Sequence, residues 1–283
     1  MSDRIILVPM HWADLEKTFS AAAVQACSRR QWLMAFVALC VAGLFFVLCR
    51  AVAVEASPWI AMSLTFLPIL FSSGVLLPLG ILLIRAYTRE SKQTTPSLQQ
   101  ILVGSVEVIA GASSLSIPSL FAYMVLWILL GFFVLLRDIP LIGPFINVLL
   151  AFGPFLLIFG SIALCCLNLG ILFFLAPAAA WRKGRYWELA NKVGKNLAAR
   201  PLSALVLLGI SLLPLGVIGA LLYVSTRLTN FTFAVNGSGV ARAMESFVLM
   251  LPFAALLAPA VVFFFIFAAE SAQLLQRKQR DTL

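Results

Sequence analysis

Two stretches decide how this chain is read: "GLFFVLCR" at 43–50 and "GFFVLLR" at 131–137. Their glycines, Gly43 and Gly131, stand 88 residues apart, and Gly219, opening "GALLYVSTR" at 219–227, lies another 88 further on. Each stretch runs from a glycine through large apolar residues to an arginine.

The surroundings of these stretches are just as apolar. Of the 283 residues, 62% are hydrophobic and 11% charged, against about 25% charged in an ordinary soluble domain. A water-soluble protein has no way to bury that much apolar surface, so lipid is the expected solvent. Long unbroken apolar runs satisfy their backbone groups internally as helices, so the fold class is all-α, a polytopic integral membrane protein.

Crossing a bilayer takes about 20 apolar residues. Runs of that kind occupy 31–49, 58–84, 117–136, 202–224 and 246–269. The stretch 139–180 would measure about 63 Å as one helix, about twice the hydrocarbon thickness. Read as one span after the Pro- and Gly-rich lead-in "DIPLIGPFIN", it brings the count to six crossings, with seven as the alternative if it turns near Gly153. The first run begins about 32 residues in, after Arg29 and Arg30, which fits an uncleaved signal anchor better than a cleaved leader.

Charge placement favours six. With the N-terminus inside, 16 of the 20 lysines and arginines fall on inner segments. Arg50, Arg137, Arg227 and Arg242 are left outside. That bias is the positive-inside pattern, and it places both termini in the cytoplasm. It also gives the net charge of +9 a membrane reading, with lipid headgroups as counter-charge and no nucleic-acid partner.

A second series marks the even-numbered spans: "LPLGILLI" at 77–84, "LNLGILFF" at 167–174 and "APAVVFFF" at 258–265. Pro78, Asn168 and Pro259 are spaced by 90 and 91 residues. Ahead of each pair of spans comes a stretch with apolar residues at helical spacing: 12–26, 95–110 and 186–199. The expected unit is therefore an amphipathic cytoplasmic helix plus a two-helix hairpin. It occurs three times in parallel, at about 10–88, 94–180 and 185–272, with a basic tail at 273–283. Parallel units of this kind would pack around an axis along the membrane normal.

The amphipathic helices have two readings. They cap the inner ends of the spans as lids, or they lie in the interface. There Trp12 and Trp187 would sit at headgroup depth, with Arg182, Lys183, Arg185, Lys192 and Lys195 facing anionic lipid. Both uses share one residue pattern.

Chemistry-bearing residues are sparse. The span interiors hold no acid, histidine or arginine of the kind ion-coupled transporters use. Asn147 and Asn168 are amides at membrane depth, read as interhelical glue or as polar groups lining a pathway. The five cysteines follow no metal or disulfide spacing, and no hydrolase, metalloprotease or phosphate-loop motif occurs. No catalytic residue, metal or cofactor is therefore expected. The sequons "NFT" at 230–232 and "NGS" at 236–238 fall on the outer side.

The helix ahead of each hairpin and the phrase "IPLIGPFI" at 139–146 resemble the membrane domain that accompanies some glycerophosphodiester phosphodiesterases, and related six-span bacterial proteins. The resemblance implies a bacterial inner-membrane setting and the six-span plan. It does not imply phosphodiester hydrolysis, because nothing in the chain matches that catalytic domain. The expected function is a non-enzymatic membrane protein whose basic inner face engages anionic lipids, membrane-protein partners or a second copy in a homo-oligomer. The alternative is a transporter or channel for an uncharged or lipid-like solute.

Overall fold

The computed structural model describes residues 12–55, 58–90, 117–137, 148, 152–181, 201–228 and 239–280. Among the described residues there are seven helices and no strand. They are α1 (Trp12–Ala26), α2 (Arg29–Glu55), α3 (Pro58–Glu90), α4 (Ile117–Arg137), α5 (Gly153–Trp181), α6 (Pro201–Leu228) and α7 (Gly239–Arg280).

Proline sets where several of these helices start. Pro58 and Pro201 are first residues of α3 and α6, while Pro118 and Pro154 are second residues of α4 and α5. At these positions the missing N–H has no intrahelical acceptor to serve, and the fixed φ already suits a helix. Between α1 and α2 only Cys27 and Ser28 intervene. Backbone bonds from Cys27 N to the Val24 carbonyl and from Ser28 N to the Gln25 carbonyl close that turn.

Five helices contain segments long and apolar enough to cross a membrane: Arg29–Val54, Ser63–Arg89, Phe155–Trp181, Leu202–Leu228 and Met244–Leu274. α4 contributes a shorter apolar stretch, Ile117–Leu129, within its 21 residues. The protein is membrane-embedded. Its outer surface agrees, with Leu33, Val37 and Val41 on α2, Phe121 and Ile128 on α4, and Leu205, Leu213 and Leu221 on α6 all exposed. A soluble monomer rarely presents apolar surface on that scale.

α7 is the axis of the assembly. It packs against α1, α2, α3, α5 and α6, while α3 also meets α2, α4 and α5, and α4 rests on α5 and α3. Residues 260–269 of α7 are buried on every face of the helix, which requires neighbours all round. At 42 residues α7 measures about 63 Å, roughly twice the hydrocarbon thickness, so it extends beyond the lipid.

The densest packing lies around that buried section. Phe173 of α5 meets Phe264 of α7 edge-on at 5.5 Å and reaches Phe267 at 6.5 Å. Leu77, Ile81 and Ile84 of α3 join the same cluster, as do Ala22 and Ala26 of α1. Gly80 of α3 lets the Phe265 ring lie flush against the backbone, occupying the volume a side chain at 80 would need.

The expected amphipathic helix at 12–26 is α1, with Thr18, Ala22 and Ala26 buried on one face. The other two, at 95–110 and 186–199, lie outside the described residues. α7 continues as helix to Arg280, so most of the stretch read as a basic tail prolongs the last span.

Candidate functional site

With the bundle interior apolar, the places where chemistry could reside are those where polar groups are held between helices. Three such places stand out among the described residues. The first is at the ends of α3, α5 and α7. Arg85 donates from Nε to the Ala180 carbonyl at 3.2 Å, covering one of the last-turn carbonyls of α5 that have no intrahelical donor. A cation at a helix C-terminus also opposes the negative end of the helix dipole. Tyr87 donates to Glu270 Oε1 at 2.8 Å, joining α3 to α7. These two bonds tie α3 to α5 and to α7.

Tyr87→Phe is expected to cost about 1 kcal/mol of stability, the usual net worth of a partly solvated hydrogen bond. Added to Glu270→Ala, it should cost almost nothing more. Thermal unfolding in detergent of the parent, both single variants and the double variant measures this.

The second place is the stretch of α7 around Pro259. Pro259 has no N–H to give to the carbonyl four residues earlier, that of Ala255. Trp32 of α2 supplies the missing donor, its Nε1 lying 3.1 Å from the Ala255 oxygen. The indole is held flat against Phe36, one turn further along α2, with ring centroids 5.5 Å apart. In apolar surroundings a stranded carbonyl is costly, so a neighbouring donor makes a proline tolerable inside such a helix.

The third place is a polar stripe along α5. Ser161, Cys165 and Asn168 follow one another at spacings of four and three residues, on one helical face. Asn168 is 4% exposed and its Nδ2 has no hydrogen-bond partner among the described residues; the same holds for Ser161 Oγ. Nearby, Tyr123 of α4 donates its hydroxyl proton to the Ser63 carbonyl of α3, five residues before Pro68. Neutral donors and acceptors are collected here, and neither a charge nor a base for a nucleophile stands among them.

The repeat-marking glycines differ in their surroundings. A side chain at Gly43 would meet Met250 of α7, whereas Gly131 and Gly219 have no neighbouring atoms within 4 Å of that position. Pro78 and Pro259 both lie inside their helices. Trp12 opens α1. Asn147, Trp187, Arg182, Lys183, Arg185, Lys192 and Lys195 lie outside the described residues.

Among the described residues no group of His, Cys, Asp and Glu is arranged to hold a metal ion, and the cysteines are free thiols. The sequence pattern singles out Asn168 and Pro259 but passes over Trp32, Arg85, Tyr87 and Tyr123. A proline inside a span does announce that some neighbour must donate to the carbonyl four residues back. Its identity is a matter of tertiary packing, not of local sequence. Comparison with protein-family models, with curated proteins and with solved structures finds no match for this chain.

Proposed function

We propose that the chain is a non-enzymatic integral membrane protein that uses its basic inner face to engage anionic lipids or a membrane-protein partner. In this reading it sits in a bacterial inner membrane with both termini cytoplasmic, and three parallel helix-plus-hairpin units make six crossings. The hairpins are α2–α3, α4–α5 and α6–α7. The mutual contacts of α3, α5 and α7, with α2, α4 and α6 outside them, support that arrangement. The plan remains similar to that of the membrane domains accompanying some glycerophosphodiester phosphodiesterases.

The observation that carries the functional reading is the apolar seal where α3, α5 and α7 meet. Leu77, Ile81, Phe173, Phe264, Phe265 and Phe267 fill this junction and are all buried. α1 covers its flank. The side chains that fill this junction offer no polar group to a passing solute, while cationic residues cluster beside these helices in sequence, at 182–200 and 277–280.

The test is thermal unfolding of purified protein with added lipid. A ligand that binds only the folded state stabilises it by mass action, by about 2.7 kcal/mol at one hundred times its Kd. Anionic phosphatidylglycerol is expected to raise Tm and zwitterionic phosphatidylcholine to leave it unchanged. Replacing Arg182, Lys183, Arg185, Lys192 and Lys195 by glutamine should remove the difference. Equal response to both lipids would count against lipid engagement.

One observation favours the transporter reading: the buried Nδ2 of Asn168, which has no hydrogen-bond partner among the described residues. It predicts solute-specific flux in proteoliposomes that Asn168→Ala abolishes. A lipid- or partner-binding protein shows flux no greater than in empty liposomes.

A further inference from the structure

α1 and α2 hold α7 on both sides of its proline. On the N-terminal side, Trp32 of α2 donates to the carbonyl of Ala255, four residues before Pro259. On the C-terminal side, the Phe19 ring of α1 sits edge-on against Phe263, four residues after Pro259, with centroids 4.9 Å apart. Each hold lies about 6 Å along the helix from the proline.

The two holds sit on helices joined by a very short link. α1 and α2 are joined by Cys27 and Ser28 alone, and the turn is closed by two backbone hydrogen bonds. Trp32 N donates to the Ser28 carbonyl, so the residue that serves Ala255 belongs to the first turn after that joint. On α1, the small buried residues Ala22 and Ala26 belong to the same core cluster as Phe263, while Val24 is 75% exposed.

We propose that the α1–α2 elbow is a clamp on the Pro259 kink, so that the docking of α1 and the bend of α7 form a single two-state element. Lifting α1 off α7 removes the Phe19–Phe263 contact and drags Trp32 away from Ala255. That strands a carbonyl in apolar surroundings, which the helix can relieve only by changing its bend. Conversely, a change of bend at Pro259 displaces both holds and loosens α1. Such coupling is reciprocal by linkage. It gives a helix at the membrane surface a direct mechanical connection to the central helix, whichever ligand the inner face binds.

Amide hydrogen exchange of the full chain in lipid nanodiscs tests the clamp, read over α1 and over 256–263 of α7. Trp32→Phe keeps an aromatic ring beside Phe36 but removes the N–H together with part of the indole's volume. It is expected to speed exchange by about tenfold in both segments, because loss of one buried donor uncouples both holds. Phe19→Ala should do the same, including at 256–258 on the far side of the proline.

Pro259→Ala restores the intrahelical donor to Ala255. On that background Trp32→Phe should change exchange in α7 by less than about threefold, since the indole proton is then redundant. Faster exchange confined to the helix that bears the substitution would overturn the clamp. So would an undiminished effect of Trp32→Phe on the Pro259→Ala background. If Trp32→Phe does not fold, Phe19→Ala decides alone, by whether residues 256–258 respond.

Discussion

Phe173→Ala is expected to destabilise the bundle by about 3–5 kcal/mol, the range found when a large aromatic is deleted from a well-packed core. Phe173 is 2% exposed and stands where α5 meets α7. Its ring contacts Phe264 and Phe267 across that junction and Phe174 beside it, at 5.5, 6.5 and 4.8 Å between centroids. Apolar groups gain little in moving from lipid to protein, so helix association inside a membrane rests on close packing. A hole at this junction therefore removes dispersion contacts that no lipid chain can enter to replace. Phe173→Leu should cost much less, since it keeps most of the volume. Unfolding in mixed micelles, followed by far-UV circular dichroism against denaturant mole fraction, gives both values.

Gly80→Ala is the second large effect, at about 2–3 kcal/mol, from overpacking instead of a cavity. The new methyl group would overlap the Phe265 ring, which is 1% exposed and has no open space to turn into. α3 and α7 would have to separate. Gly43→Ala makes the comparison informative, because there the obstructing atoms are the sulfur and terminal methyl of Met250. A methionine end on three rotatable bonds can swing aside, and Met250 is only partly buried, so the cost should stay below about 1 kcal/mol. If space at the glycine alone mattered, the two substitutions would be equally harmful. Combining Gly80→Ala with Phe265→Leu should recover part of the loss.

The parts of the fold visible in the sequence are those governed by hydrocarbon thickness and helical period. The apolar run at 31–49 lies within α2, that at 202–224 within α6 and that at 246–269 within α7. The amphipathic pattern at 12–26 has the bounds of α1. Hydropathy marks where lipid ends, however, and helices do not stop there. α3 continues through Arg85, Tyr87 and Glu90, and α7 through Glu270 to Arg280, because helical backbone bonds persist in water as well as in oil. Those polar extensions hold the cross-links from Arg85 to Ala180 and from Tyr87 to Glu270, so a reading that stops with the apolar run misses them.

Pairings between helices were legible only as obligations. Pro259 obliges some neighbour to donate to Ala255, but nothing near residue 259 names Trp32, 223 residues from that carbonyl in sequence. The glycine series shows the converse limit. Gly43, Gly131 and Gly219 are regularly spaced, yet among the described residues only Gly43 of the three has another helix's atoms within 4 Å of where a side chain would sit. Periodicity records that segments are alike, and tertiary packing decides which of them needs the small residue.

How the chain threads the membrane decides which face its basic residues occupy. Paired reporters, one active only in the cytoplasm and one only outside it, fused in turn at the N-terminus and after Leu283, measure this directly. A thiol introduced at Asn236 and probed with an impermeant reagent reports on which side residue 236 lies. Six crossings in three hairpins predict cytoplasmic signals at both ends and labelling of residue 236 from outside. An end that reports from the exterior, or a residue 236 that reacts only after the membrane is opened, would contradict it.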